Sequence, residues 1–173
     1  SFPFLFSDEA YLVEWKFVHR RADVKNLQGE DVSSENTGRD VYVYYYWQGR
    51  DCSVTEKALS AVLTIFHVKK KSHQIHIAQD QEHPTFVSLF QGQYVSGIGK
   101  FKSFQREDNH LYLVRGFDKE TFLLEVEPSY HSLRSQANFI LICPLSKIIY
   151  HWIGSTSNKN ISIDKFIVNL NKL

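Results

Sequence analysis

Residues 41–56 read VYVYYYWQGRDCSVTE. The run from Val41 to Trp47 is β-branched or aromatic on both parities, the pattern of a central strand covered on both faces. Gly49 then frees the backbone to turn. Ser53 and Glu56 have the capping-box spacing, in which a serine accepts from an orphan amide at a helix start and a glutamate reaches back. A strand, a glycine turn and a helix running to about Val68 are expected in that order.

The flanks extend the pattern. AYLVEWKFV at 10–18 reads as a strand, and the polar stretch from His19 to Asp40, with Gly29 and Gly38, reads as a long surface loop. QIHIAQ at 74–79 is a further strand. HPTFVSLF at 83–90 is a short helix, with Pro84 in its first turn and Phe86, Leu89 and Phe90 on one face.

The order then partly repeats. HLYLVRG, TFLLEVE, ANFILIC and KIIYHWIG are strand-like, the last two joined by the turn PLSK, and Trp152-Ile153-Gly154 mirrors Trp47-Gln48-Gly49. Ser162 precedes Ile163, Phe166, Ile167 and Leu170, which have the spacing of a core-facing helical stripe. Two incomplete copies of one module are expected: 1–95 without its opening strands, a linker at 96–109 containing Gly97 and Gly99, and 110–173 without its C-terminal part.

Composition bounds the function. The chain has 173 residues, a formal charge of +1, 43% apolar residues and 14% aromatics, enough for a packed globular core. It begins at Ser1 and contains no methionine, so it reads as an internal piece of a longer protein. No apolar run approaches the roughly 20 residues of a membrane span. Cys52 and Cys143 form no CxxC pair, which suits a reducing compartment, and there the NIS at 160–162 is not a glycosylation site. Lys and Arg against Asp and Glu number 10 to 12 before residue 96 and 10 to 7 after it, so neither half carries the basic footprint of a nucleic-acid binder. His73 and His76 are spaced HxxH, but on a strand they face opposite ways, and neither cysteine lies in a nucleophile motif; no enzyme is expected.

The order of strand, Trp-x-Gly, capped helix, strand and Pro-started short helix resembles the gelsolin-like repeat of the gelsolin and villin superfamily. WQGRDCSVTEKALSAVLT, IAQDQEHPTFVSLFQG, and LVRG followed by FLLEVEPSYHSLRS are similar in particular to its supervillin-like branch. The resemblance implies an α/β (α+β) fold, a mixed sheet sandwiched between a long helix along the strands and a short one across them. It also implies an actin-filament-associated, non-severing or weakly calcium-regulated cytoskeletal module in the cytoplasm and at the cell cortex. The alternative it leaves open is a scaffold repeat without direct actin contact. The expected partners are actin filaments, other cytoskeletal proteins, an acidic membrane surface and neighbouring repeats of the same chain.

Three groups of residues are candidates. The resemblance places a calcium ion between the start of one strand and the long helix, which maps here onto Asp8, Glu9 and Glu56. Carboxylates from separate elements suit a hard cation, although Glu9 stands where the family carries Asp and Asp8 where it carries Gly. The plainer role of Glu56 is the capping box itself. In the second copy Ala137 and Ile161 fall at the carboxylate positions, and that site is lost. On the long helix, Val54, Ala58, Ala61, Val62 and Ile65 face the sheet, with Leu59, Leu63 and Phe66 in a stripe beside them. That stripe either docks on a partner or packs against the protein's own loops or a neighbouring repeat. Lys69, Lys70 and Lys71 form a basic cluster that suits an acidic partner and equally complements a helix C-terminus. Trp47 and Trp152 are expected in the core.

Overall fold

The computed structural model describes residues 4–19, 25, 27–29, 39–58, 72–117, 120–159 and 166. In chain order the described elements are β1 (Phe4–Phe6), β2 (Ala10–His19), β3 (Arg39–Gln48), the helical start α1 at residues 54–58, β4 (Ser72–Ala78), α2 (Pro84–Leu89) and β5 (Val95–Gly97). A 3₁₀ turn at Phe101–Ser103 follows, then β6 (His110–Arg115), β7 (Phe122–Val126), a second 3₁₀ turn at Tyr130–Ser132, β8 (Asn138–Cys143) and β9 (Ile148–Ile153).

The aromatic strand β3 is the middle of a three-stranded sheet, antiparallel to β2 and parallel to β4. Tyr44 and Tyr45 are both buried although neighbours on a strand point to opposite faces, so β3 is covered on both sides. On one face Val43, Tyr45 and Trp47 pack with Ile77, with Phe86 and Val87 of α2, and with Tyr94. The Phe86 ring lies 5.4 Å from Tyr45. His83 caps α2, its Nδ1 accepting from the Thr85 amide at 3.3 Å, and Pro84 fills the first helical position, where no backbone donor is needed. Trp47 is fully buried, and its indole N–H donates to Glu82 at 2.9 Å, which removes the cost of enclosing a polar atom.

The second sheet has six strands in the order β1-β5-β7-β6-β8-β9. β1 and β5, and β5 and β7, pair in parallel; β6 runs antiparallel to both β7 and β8, and β8 to β9. Val95, Tyr112, Val114, Leu123 and Ile140 bury one face together with Phe166. The class is therefore α+β with mixed sheets. This sheet takes β1 from before residues 96–109, β5 from across the start of that stretch and β6–β9 from after it, because each short parallel strand needs a neighbour to pair its backbone groups. The stretch 96–109 itself holds the end of β5 and the first 3₁₀ turn, bonded to chain on both sides.

Candidate functional site

At the end of β3 the chain folds back beneath the turn that joins β1 to β2. The Gly49 amide donates to the Glu9 carbonyl at 3.0 Å and the Asp51 amide to the Ser7 carbonyl at 3.0 Å. A Cβ on Gly49 would lie 2.0 Å from the Ser7 carbonyl oxygen. Gly49 is not among the positive-φ glycines, so its role differs from the expected one: the missing side chain admits the β1–β2 turn, and the backbone angle is ordinary.

Helix α1 starts from this corner through a complete capping box. The Glu56 amide donates to Ser53 Oγ at 3.2 Å, and Glu56 Oε2 accepts from the Ser53 amide at 3.0 Å and the Ser53 hydroxyl at 2.7 Å. Glu56 Oε1 accepts from Lys100 Nζ at 3.1 Å. The Ser53 hydroxyl, then the Ser53 amide, then Lys100 pull the Glu56 carboxyl down to about 2. Beside it Cys52 is buried, and burial, followed by the Glu56 charge, pushes its thiol up, away from a reactive thiolate.

A loop from the end of β5 completes the corner. The Ser7 amide donates to the Gly97 carbonyl at 2.9 Å, the Asp8 amide to the Gly99 carbonyl at 3.0 Å, and the Gly99 amide to Ser7 Oγ at 2.9 Å. Asp8 Oδ1 accepts from the Ser7 hydroxyl at 2.7 Å. Glu9 accepts from the Tyr11 hydroxyl and, at 3.2 Å, from the Phe101 amide. The Lys100 ammonium is held above its ordinary pKa first by the hydrogen bond and charge of Glu56, then by the charges of Asp8 and Glu9. Asp8, Glu9 and Glu56 therefore belong to one corner, where Glu56 is paired with a lysine that sequence reading missed. The only signal for it was a cation directly after Gly97-Ile98-Gly99, 44 residues beyond Glu56.

In this arrangement the residues do not fit a calcium ion. Calcium takes six to eight oxygens, whereas carboxylate oxygens of Asp8, Glu9 and Glu56 already accept N–H and O–H donors. Among the described residues no group of three or more His, Cys, Asp or Glu is placed to hold a metal.

Leu59, Leu63, Phe66, Lys69, Lys70 and Lys71 lie outside the described residues, as does Ile161. The described start of α1 corrects one expectation: Val54 is 83% exposed and Ala58 is exposed as well, so the stripe does not turn into the sheet at its first turn. The helix begins at the corner, past the end of β3.

A second polar site joins the loop to the six-stranded sheet. His110 Nδ1 lies 2.6 Å from Glu125 Oε1, and Nε2 lies 2.9 Å from the Gln105 carbonyl. Glu125 Oε2 accepts from the Ile98 amide at 2.9 Å. Burial alone lowers the His110 pKa, but the bonds to Glu125 and Gln105 and the Glu125 charge outweigh it, and the net direction is up. With an acceptor at each ring nitrogen, the imidazolium satisfies both.

No family model matches the chain. Supervillin from Bos taurus is 35% identical over 152 residues, covering 84% of this chain and 7% of supervillin. Cytoplasmic gelsolin from Homarus americanus is 30% identical over 139 residues, covering 72% of this chain and 18% of that protein. Among solved structures, the Thorarchaeota 2DGel3/rabbit actin complex is similar at 24% identity and a TM-score of 0.30, over 76% of this chain and 73% of that one. The chain thus spans less than a fifth of the length of these curated relatives.

Proposed function

Because the chain belongs to the gelsolin/villin superfamily, we propose that it serves as an actin-filament-associated module of a supervillin-like cytoskeletal protein, non-catalytic and non-severing. In this reading residues 1–95 and 110–173 are adjoining gelsolin-like repeats joined through 96–109. The module works in the cytoplasm, on the cytoskeleton and at the cortex. Filaments are its main partner, and other cytoskeletal proteins, acidic membrane surface and flanking repeats are further ones.

The observation that carries the proposal is the start of α1. A capped helix starts at the Gly49 corner with Val54 83% exposed, so an apolar side chain faces outward where a partner can cover it. Leu59, Leu63 and Phe66, which follow in the sequence, are the residues assigned to the contact, with Lys69, Lys70 and Lys71 beyond them for an acidic filament.

The test is co-sedimentation of the full chain with actin filaments, in calcium and in chelator, beside Leu63→Asp. Pelleting in both buffers is expected, weakened roughly tenfold or more by the substitution, as for the loss of an interface anchor. An unchanged circular-dichroism melt of the variant would separate lost contact from lost fold. Pelleting that Leu63→Asp leaves intact would move the contact away from Leu63. No pelleting in either buffer would overturn actin association and leave a scaffold role.

A further inference from the structure

We propose that the Lys100 ammonium is a built-in cation, standing where a divalent ion would join the β1–β2 turn to the start of α1, so that this corner closes without calcium. The inference rests on the proposed function only in taking calcium as the relevant ion, and its test contains no actin.

Two observations carry it. The first is position. Lys100 belongs to the loop whose backbone is bonded to the β1–β2 turn through Gly97, Gly99 and Phe101, and its side chain spans to the helix start, 3.1 Å from Glu56 Oε1. One residue therefore bridges the same elements that an ion shared by Asp8, Glu9 and Glu56 would bridge. The Lys100 amide also donates to Ser103 Oγ at 3.3 Å, so its backbone is anchored and only the side chain has to be placed.

The second is the donor inventory. Each of the three carboxylates has accepted hydrogen-bond donors, and Glu56 has four, two from Ser53, one from Lys100 and a longer one from the Cys52 thiol at 3.9 Å. An ammonium brings three N–H donors and one positive charge, and keeps these bonds intact. Calcium would need bare oxygens at about 2.3–2.6 Å from several directions, which requires the lysine to leave and the capping bonds to loosen. Regulation follows from that difference. A covalently attached cation is present at every calcium concentration, so the corner is held constitutively and the helix start is presented without a calcium signal.

The test is thermal unfolding of the full chain in calcium, in magnesium and in chelator, for the native chain, Lys100→Gln and Lys100→Arg. The native chain is expected to melt at one temperature in all three buffers. Lys100→Gln is expected to melt lower in chelator and to rise in calcium by roughly 5–10 °C, the shift for a ligand at about a hundred times its dissociation constant that binds only folded chain. Lys100→Arg keeps a cation and is expected to stay insensitive to calcium. Adding Glu56→Gln to Lys100→Gln should remove the calcium response. A calcium shift in the native chain as large as in Lys100→Gln would overturn the proposal, as would a Lys100→Gln variant that calcium leaves unmoved. Neither result bears on filament pelleting, and a failure to pellet filaments leaves this inference standing.

Discussion

The corner at residues 7–9 and 49–52 is built a second time at residues 135–137 and 154–157. The Gly49 amide donates to the Glu9 carbonyl at 3.0 Å, and the Gly154 amide to the Ala137 carbonyl at 3.0 Å. Asp51 N–H reaches the Ser7 carbonyl at 3.0 Å, and Thr156 N–H the Ser135 carbonyl at 2.9 Å. Cys52 N–H bonds the Gly49 carbonyl at 3.3 Å, and Ser157 N–H the Gly154 carbonyl at 3.0 Å. The side chains that lock the two corners have nothing in common. The first pairs Glu56 with Lys100, with Asp8 bonded to Ser7 and Glu9 to Tyr11 and Phe101 beside them. The second uses a buried amide: Asn138 Oδ1 accepts from the Ser157 hydroxyl at 2.6 Å, and Nδ2 donates to the Asn158 carbonyl at 2.7 Å. Backbone bonds and an absent Cβ thus make the corner, and the lock over it can be charged or neutral. An ion at such a place is one kind of lock, separable from the fold.

The strongest challenge to this equivalence is to put a methyl group in each corner. A Cβ would meet the Ser7 carbonyl oxygen at 2.0 Å on Gly49 and the Ser135 carbonyl oxygen at 2.3 Å on Gly154, in both cases backbone that cannot swing aside. Gly49→Ala and Gly154→Ala should each destabilise by about 3 kcal/mol, lowering the melting temperature by roughly 6–12 °C for a chain of this size. Similar losses in paired thermal melts would support one architecture made twice. A loss at one glycine with less than about 1 kcal/mol at the other would break the comparison.

Much of this was legible in sequence because it is local. Trp47-Gln48-Gly49 and Trp152-Ile153-Gly154, the alternation of β2, the capping box at Ser53 and Glu56, and Pro84 before Phe86 are all set within a few residues, where period and cap chemistry speak directly. What was hidden is non-local. No short-range rule makes the three residues of β1 pair with β5 and so join the sheet of β6–β9. Lys100 was hidden for the same reason, since its partner is 44 residues away and reached only after the chain has folded. The reason for Gly49 was misread because sequence shows a glycine but not the carbonyl that crosses it. Val54 was assigned to the core by helical period alone, which carries no information about where the sheet beneath a helix ends.

The neutral lock offers a sharper contrast. Asn138 is buried, with Oδ1 and Nδ2 both bonded. Asn138→Ala leaves the Ser157 hydroxyl and the Asn158 carbonyl without those partners, which should cost about 2 kcal/mol. A urea titration would show it as a lower midpoint at unchanged slope. Repeating it in high salt separates the two corners, because a Debye length of about 3 Å at 1 M screens exposed charge pairs and leaves buried neutral bonds alone. The loss from Asn138→Ala should persist in salt, whereas the smaller loss from Lys100→Ala should fade. An Asn138 effect that salt abolishes, or a Lys100 effect that salt leaves unchanged, would remove the distinction between the two locks.

The smallest expected effect concerns the loop that carries Lys100 to the first corner. On one side it is bonded to Ser7, Asp8 and Glu9; on the other, Glu125 takes the Ile98 amide with one oxygen and His110 with the other. His110 therefore holds the loop only as an imidazolium, donating to Glu125 and to the Gln105 carbonyl together. Its folded pKa lies above the ordinary 6.5, so the stability it contributes is complete below pH 6.5 and is lost as pH rises through the raised value. Unfolding midpoints should decline over that interval, and His110→Gln should flatten the decline. Hydrogen exchange sharpens the point: the Ile98 amide should exchange faster over the same interval beyond its intrinsic rate, while the Gly154 amide, which has no titrating partner, should not. Equal acceleration at both amides would mean that the whole fold loosens with pH. Acceleration at Ile98 alone would show that the charged corner depends on a loop with its own release, a dependence the neutral corner was built without.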